Sequence, residues 1–255
     1  MMKEIRYGIP MLFSTGAMAA GLLSIIQASA GQYLQSAQLI MLSMILDGFD
    51  GNLARKLNAT SQFGAEFDTF VDIMSFGIAP ALLAYWSSLQ HIGFLGLLFA
   101  CTIVLSGMTR LARFRVVDPA RGAGGYMGLP ITVNGGWIAI CVYLASVEGH
   151  WANVLAGEGP LIHGTLAWFC WGVSILMVVL QVSNVHYQKP TKHWGFMIPA
   201  AIATFALFEE GMGFRVAVII ALYGLYYTFL APIIEHFHAV PRGVVEGLDE
   251  PGSEG

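Results

Sequence analysis

Apolar runs of about 20 residues recur along this chain, and each is long enough to cross the hydrocarbon core of a bilayer as a helix. Eight such spans are read, at residues 8–28, 33–54, 68–88, 92–114, 129–147, 163–181, 195–208 and 214–234. The seventh is short and fits equally well a re-entrant or tilted partner of the eighth. Only 11% of the residues are charged, against about 25% in an ordinary soluble domain. A chain with so little charge cannot cover a water-facing surface. Soluble enzymes, disordered chains and disulfide scaffolds are therefore excluded. The expected fold class is all-α integral membrane, one polytopic domain over residues 1–238 followed by a flexible acidic tail, 239–255.

Positive charge orients the spans. With the N-terminus in the cytosol, Lys3, Arg6, Arg55, Lys56, Arg110, Arg113, Arg115, Arg121, Lys189, Lys192 and Arg242 all fall on the cytosolic side. Arg215 alone falls opposite. Both termini are thus expected in the cytosol, and a plasma membrane (a bacterial inner membrane) is the expected location. Residues 1–30 also carry features of a signal peptide, ending in Ala28-Ser29-Ala30, but the apolar run is long for one and reads better as a retained span. The net charge of −4 offers no basic surface for nucleic acid. Cys101, Cys141 and Cys170 are far apart in apolar runs and are expected to be buried and inert.

Ionisable residues inside spans are costly and point to function. Asp47 and Asp50 end the second span, and Glu66, Asp68 and Asp72 begin the third. Asp47, Asp50, Gly51 and Ala54 are spaced i, i+3, i+4 and i+7, one face of a helix, with Arg55 at its edge. Gly64, Asp68 and Asp72 repeat at i+4 on a second face, which Ser75 and Ala79 continue. A short polar connection through Asn58, Thr60, Ser61 and Gln62 would bring four carboxylates together. Four like charges in a low dielectric need cations. Oxygen ligands without His or Cys select hard divalent ions, Mg2+, Mn2+ or Ca2+. The small residues leave room for a phosphate-bearing ligand beside the backbone. The bland alternative is an interfacial acid that caps a helix, a role Asp68 could fill.

Residues 47–72 read Asp47-x-x-Asp50-Gly51-x-x-Ala54-Arg55, eight residues, then Gly64-x-x-x-Asp68-x-x-x-Asp72. This resembles, at all eight fixed positions, the signature of the CDP-alcohol phosphatidyltransferases, integral membrane enzymes with a six-helix core. The 72–81 stretch, Arg110-Leu-Ala-Arg113-Phe114 and Gly128-Leu129-Pro130 are similar to segments of the phosphatidylserine synthases within that family. Where those enzymes usually carry Asn after Arg-Phe this chain has Arg115, and after Gly-Leu-Pro it continues Ile131-Thr132-Val133-Asn134.

The resemblance implies transfer of a phosphatidyl group from CDP-diacylglycerol to the hydroxyl of L-serine, with release of CMP. Another alcohol (inositol phosphate, glycerol phosphate, choline) or an archaeal lipid donor is the alternative within the class, and a cation-coupled transporter is the alternative outside it. It further implies two divalent ions held by Asp47, Asp50, Asp68 and Asp72, with Asp72 as general base. Gly51, Ala54, Arg55 and Gly64 would shape the CDP site. Arg110 and Arg113 would form a pocket for the acceptor or the lipid phosphate. A homodimer embedded among membrane lipids is expected on the same ground. Asn134 suits either a polar acceptor or an interhelical hydrogen bond, and the Gly-rich 121–125 stretch either a phosphate loop or a mobile connection.

Overall fold

A computed structural model describes residues 2–117, 126–147, 165–187 and 194–238. Within them, α1 (Met2–Ser29) and α2 (Tyr33–Lys56) form an antiparallel hairpin. Its turn passes through Gly31 at φ +77, a left-handed conformation that glycine adopts without a Cβ penalty. Helix α3 (Gln62–Asp72) runs through a π-helical segment, Ile73–Ile78, into α4 (Ala79–Ser87). Helices α5 (Phe94–Val117), α6 (Ile131–Ser146), α7 (Thr165–Val182) and α8 (Trp194–Ala206) follow. Helix α9 (Gly213–Leu225) runs through a second π-helical segment, Tyr226–Leu230, into α10 (Ala231–His238). Two short strands, β1 (Tyr126–Met127) and β2 (His186–Tyr187), pair antiparallel and tie the entry of α6 to the exit of α7.

The helical runs coincide with the expected spans, with instructive departures. Among the described residues, four stretches are long and apolar enough to cross a membrane: Gly8–Ser29, Gln62–Ser87, Phe94–Val116 and Gly213–Ile234. Ile131–Ser146, Ala167–Val182 and Gly195–Ala206 are apolar but shorter. Helix α2 is long, yet its second half carries Asp47, Asp50, Arg55 and Lys56 and is not apolar enough to qualify by composition. The third helix begins at Gln62, a turn and a half before the expected 68, because Ser61 caps it. Ser61 has extended backbone and its hydroxyl accepts from the Gly64 N–H at 3.0 Å. Asp68 is therefore not a cap. Nor were the two π-helical segments foreseen, since nothing in their composition breaks the helical pattern.

Helix α6 is the centre of the bundle. Nearly every residue from Asn134 to Tyr143 is buried, whichever way it faces, as expected of a helix apolar all round. It packs on α2, α4, α5, α7 and α9. Phe76, Ile131, Ile140 and Tyr143 join one apolar core, Ile103, Ile138 and Trp171 a second, and Trp137, Met177 and Tyr227 a third. Cys141 and Cys170 are buried as expected, but Cys101 is exposed. It lies on the outer side of α5 with Leu97, Leu98 and Leu105, where an apolar residue meets lipid rather than the core.

The approach of α6 to the first π-helical segment is set by Gly135. A Cβ there would lie 2.9 Å from the Phe76 carbonyl oxygen and 3.1 Å from its Cα. Gly135→Ala is expected to destabilise the protein by about 1–3 kcal/mol, the usual cost of overpacking against backbone. The check is thermal unfolding in detergent. Gly172→Ala, with nothing within 4 Å of its Cβ position, serves as the control and leaves the midpoint unchanged or higher.

Candidate active site

Asp47 and Asp50 stand one turn apart on α2. The connection after Lys56 is short, with Asn58 in the left-handed region at φ 49 and the Ala59 N–H donating to the Ala54 carbonyl at 2.9 Å. This reversal, with the Ser61 cap, returns α3 against α1 and brings Asp68 within reach of the acids of α2. One carboxylate oxygen from each of Asp47, Asp50 and Asp68 lies within 4.8 Å of the others. Asp47 is hydrogen-bonded to Asp68 and in electrostatic range of Asp72 and Asp50. The structure thus brings Asp47, Asp50 and Asp68 together, with Asp72 outside that group but in electrostatic range of Asp47.

One donor on this cluster comes from a helix that no motif marked. Ser14 on α1 donates to Asp50 Oδ2 at 2.5 Å, and Asp50 is buried. One layer deeper, the Ser43 and Ser75 hydroxyls both donate to the Ala17 carbonyl, at 2.8 and 3.3 Å. Ser43 is one turn before Asp47 on α2, and Ser75 lies three residues after Asp72, so Ala17 fixes both acid-bearing elements against α1. Gly21 permits the approach, since a Cβ there would lie 3.0 Å from Ser75 Cα. The first span is thus packed directly against both acid-bearing elements.

Two observations bear on a cation. Asp47 Oδ1 is buried and has no hydrogen-bond partner among the described residues. Two carboxylates at hydrogen-bond distance also require a proton or a cation between them. The ligand atoms are all carboxylate oxygens, the set that hard divalent ions prefer. The residues therefore fit a divalent ion.

Around the cluster, Arg55 Nη2 donates to Asn52 Oδ1 at 2.9 Å, and Asn52 Nδ2 to the Gly48 carbonyl at 2.8 Å. Asn52 is buried and holds the guanidinium at the edge of the acidic face. A Cβ on Gly51 would meet only that guanidinium, at 3.7 Å, so the backbone there is open. Gly64 has a second duty as the cap's donor. Sequence reading passed over Ser14 and Asn52. Asn52 lies between two fixed motif positions, and Ser14 has no spacing relation to the acids at all.

Arginines of α5 take three different roles. Arg110 is buried, its guanidinium 5.4 Å from the centre of the Phe114 ring. Arg113 instead donates to the Val182 and Ser183 carbonyls at 2.9 and 3.3 Å, and to Asn184 Oδ1 and Met127 Sδ. Its fork clasps the turn after α7. Arg115 pairs with Glu66 and donates to Thr69 Oγ1 at 2.7 Å. It ties α5 to α3, and it draws Glu66 away from the four aspartates. The 121–125 connection, Lys189, Lys192 and the 239–255 tail lie outside the described residues.

The sequence model of the CDP-alcohol phosphatidyltransferase family matches residues 7–179, which run from within α1 to near the end of α7 and include the whole acidic cluster. The chain belongs to the CDP-alcohol phosphatidyltransferase family. This CDP-alcohol phosphatidyltransferase is 33% identical over 183 residues to a CDP-diacylglycerol–serine O-phosphatidyltransferase of Helicobacter pylori, covering 72% of this chain and 73% of that protein. It is 37% identical over 181 residues to a protein of the same name from Bacillus subtilis, covering 71% of this chain and 92% of the other. An archaetidylserine synthase of Methanothermobacter thermautotrophicus is 35% identical over 183 residues, covering 71% and 70%.

Proposed function

We propose that this CDP-alcohol phosphatidyltransferase transfers the phosphatidyl group of CDP-diacylglycerol to the hydroxyl of L-serine, releasing CMP and forming phosphatidylserine. The observation that carries the reading is the convergence of Asp47, Asp50 and Asp68 within 4.8 Å, with Asp72 beside them, in a chain of this family. Serine is the part common to the names of the relatives above, whereas the lipid differs between them. An archaeal-type donor is therefore the second reading.

In this mechanism Asp47, Asp50 and Asp68, with Asp72 in support, hold two divalent ions. When bound, such ions supply Lewis acidity at phosphorus and neutralise charge on the leaving CMP. Gly51 and Ala54 let the nucleotide approach the α2 backbone, and Arg55, steadied by Asn52, faces its phosphates. Gly64 keeps the start of α3 clear. Asp72 takes the proton of the serine hydroxyl as the oxygen attacks the lipid-bearing phosphorus. The new O–P bond forms as the bond to the CMP phosphate breaks, and CMP leaves with that electron pair. Arg110 faces the acceptor side, and Arg113 holds the turn that closes it. Eight crossings, both termini in the cytosol, a cytosol-facing site in a plasma membrane and a homodimer complete the proposal. The positive-inside pattern supports the topology, and the family resemblance supports the dimer.

The test is CMP release from CDP-diacylglycerol by the purified protein in detergent, with Mg2+, Mn2+ or Ca2+. The acceptors compared are L-serine, glycerol 3-phosphate, myo-inositol, choline and none. Release that requires both serine and metal is expected. Metal-dependent release with another alcohol only would overturn the acceptor and keep the reaction class.

A further inference from the structure

Away from the acids, three helices bury a cluster of neutral polar side chains. Ser106 on α5 donates to Gln181 Oε1 at 2.7 Å, and Asn134 Nδ2 on α6 donates to the same oxygen at 3.4 Å. Gln181 closes the last turn of α7, and both amides are 1% exposed. The other end of the Asn134 amide, Oδ1, is buried and has no hydrogen-bond partner among the described residues. Turning the amide over exchanges oxygen for nitrogen at that position but leaves the same end unspent. An amide serving only to join helices would spend both ends at this depth, because an unmet buried polar atom costs about 1–3 kcal/mol.

Its position relates it to the reacting centre. The next two residues on α6, Gly135 and Gly136, abut the elements that carry the acids. Gly135 lies against the Phe76 backbone, four residues after Asp72. A Cβ on Gly136 would lie 3.3 Å from the sulfur of Met44, three residues before Asp47. On α5, the buried Arg110 is one turn beyond Ser106, about 6 Å along the axis. A guanidinium and an unspent amide carbonyl, set apart from the acids, match the carboxylate and ammonium of an amino-acid zwitterion. A phosphorylated polyol would call for further cations.

We propose that Asn134, positioned by Gln181 and Ser106, binds the amino-acid head of the acceptor and sets the specificity of the enzyme for it. The assignment rests on the serine reading above. Asn134 contacts the acceptor; Gln181 and Ser106 act through it.

The test uses the full-length protein in detergent and compares wild type with Asn134→Leu, Gln181→Leu and the milder Ser106→Ala. The readouts are KM for L-serine, KM for CDP-diacylglycerol, CMP affinity in Mn2+ and the thermal midpoint. Asn134→Leu is expected to raise the serine KM about 10–100-fold, the loss of a buried bond to a charged group. The donor KM and CMP affinity stay within about twofold of wild type, which a merely structural role would not predict. Ser106→Ala gives a smaller rise of the same kind and stands in if the Leu variants do not fold. A serine KM unchanged in the folded variants overturns the assignment, as does a parallel rise of both KM values with a lowered midpoint. Wild-type protein that releases CMP without regard to serine overturns the parent reading, and the assignment with it.

Discussion

Asp72→Asn is expected to lower kcat for serine-dependent CMP release by about 10²–10⁴-fold, the usual worth of a positioned general base. The substitution keeps the shape of the side chain and removes its ability to take a proton. Asp72 is suited to the part because it stands just outside the group of three whose oxygens converge, yet within electrostatic range of Asp47. It also sits where α3 passes into the π-helical segment Ile73–Ile78. Such segments often mark functional positions, since they re-aim the side chains beside them. Single-turnover CMP release at saturating Mn2+ gives the rate, and a thermal midpoint close to that of wild type shows that the fold persists. A variant that keeps more than a tenth of the rate would return Asp72 to a purely ligating role.

Asp47→Asn is expected to remove metal binding and, with it, about 10²–10⁴-fold of kcat/KM, corresponding to the several kcal/mol that a Lewis acid supplies. Asp47 is central to the cluster: it is hydrogen-bonded to Asp68, lies in electrostatic range of Asp72 and Asp50, and holds an oxygen with no donor among the described residues. The same crowding gives the prediction a second arm with the opposite sign. Without a cation the four carboxylates repel one another, so removing one charge raises the thermal midpoint of the metal-free protein. In wild type, Mn2+ at about 100 times its Kd adds about 2.7 kcal/mol of stability through binding to the folded state. In the variant that increment vanishes. An equal Mn2+-dependent shift in both proteins would place the ion elsewhere. Greater stability with lost function is the usual mark of a site built from mutually repelling groups.

The differing fates of the charged residues show what spacing alone can carry. Asp47, Asp50, Asp68 and Asp72 could be placed together from sequence because helical periodicity and one short polar connection fix their geometry locally. Glu66 has the same chemistry and sits two residues from Asp68, but faces Arg115. Arg110 and Arg113 are three residues apart on one helix, yet one is buried over Phe114 and the other is spent on the turn after α7. Their division depends on which helix packs where. Ser14 and Asn52 carry no pattern of their own; they gain their roles only when α1 packs on α2 and Arg55 folds back. Cys101, expected to be buried, is exposed instead, because an apolar run suits lipid as well as core.

By itself the sequence determined the membrane class, the helical runs, the positive-inside bias and the acidic motif, because each follows from hydropathy or from the 3.6-residue period along one segment. Tertiary structure decided where α3 begins, the π-helical segment beside Asp72, the α1 layer that holds the acids, and the meeting of Ser106, Asn134 and Gln181. Those depend on contacts between residues dozens of positions apart, where the close approach permitted by Gly21 and Gly135 sets the geometry and no local period records it.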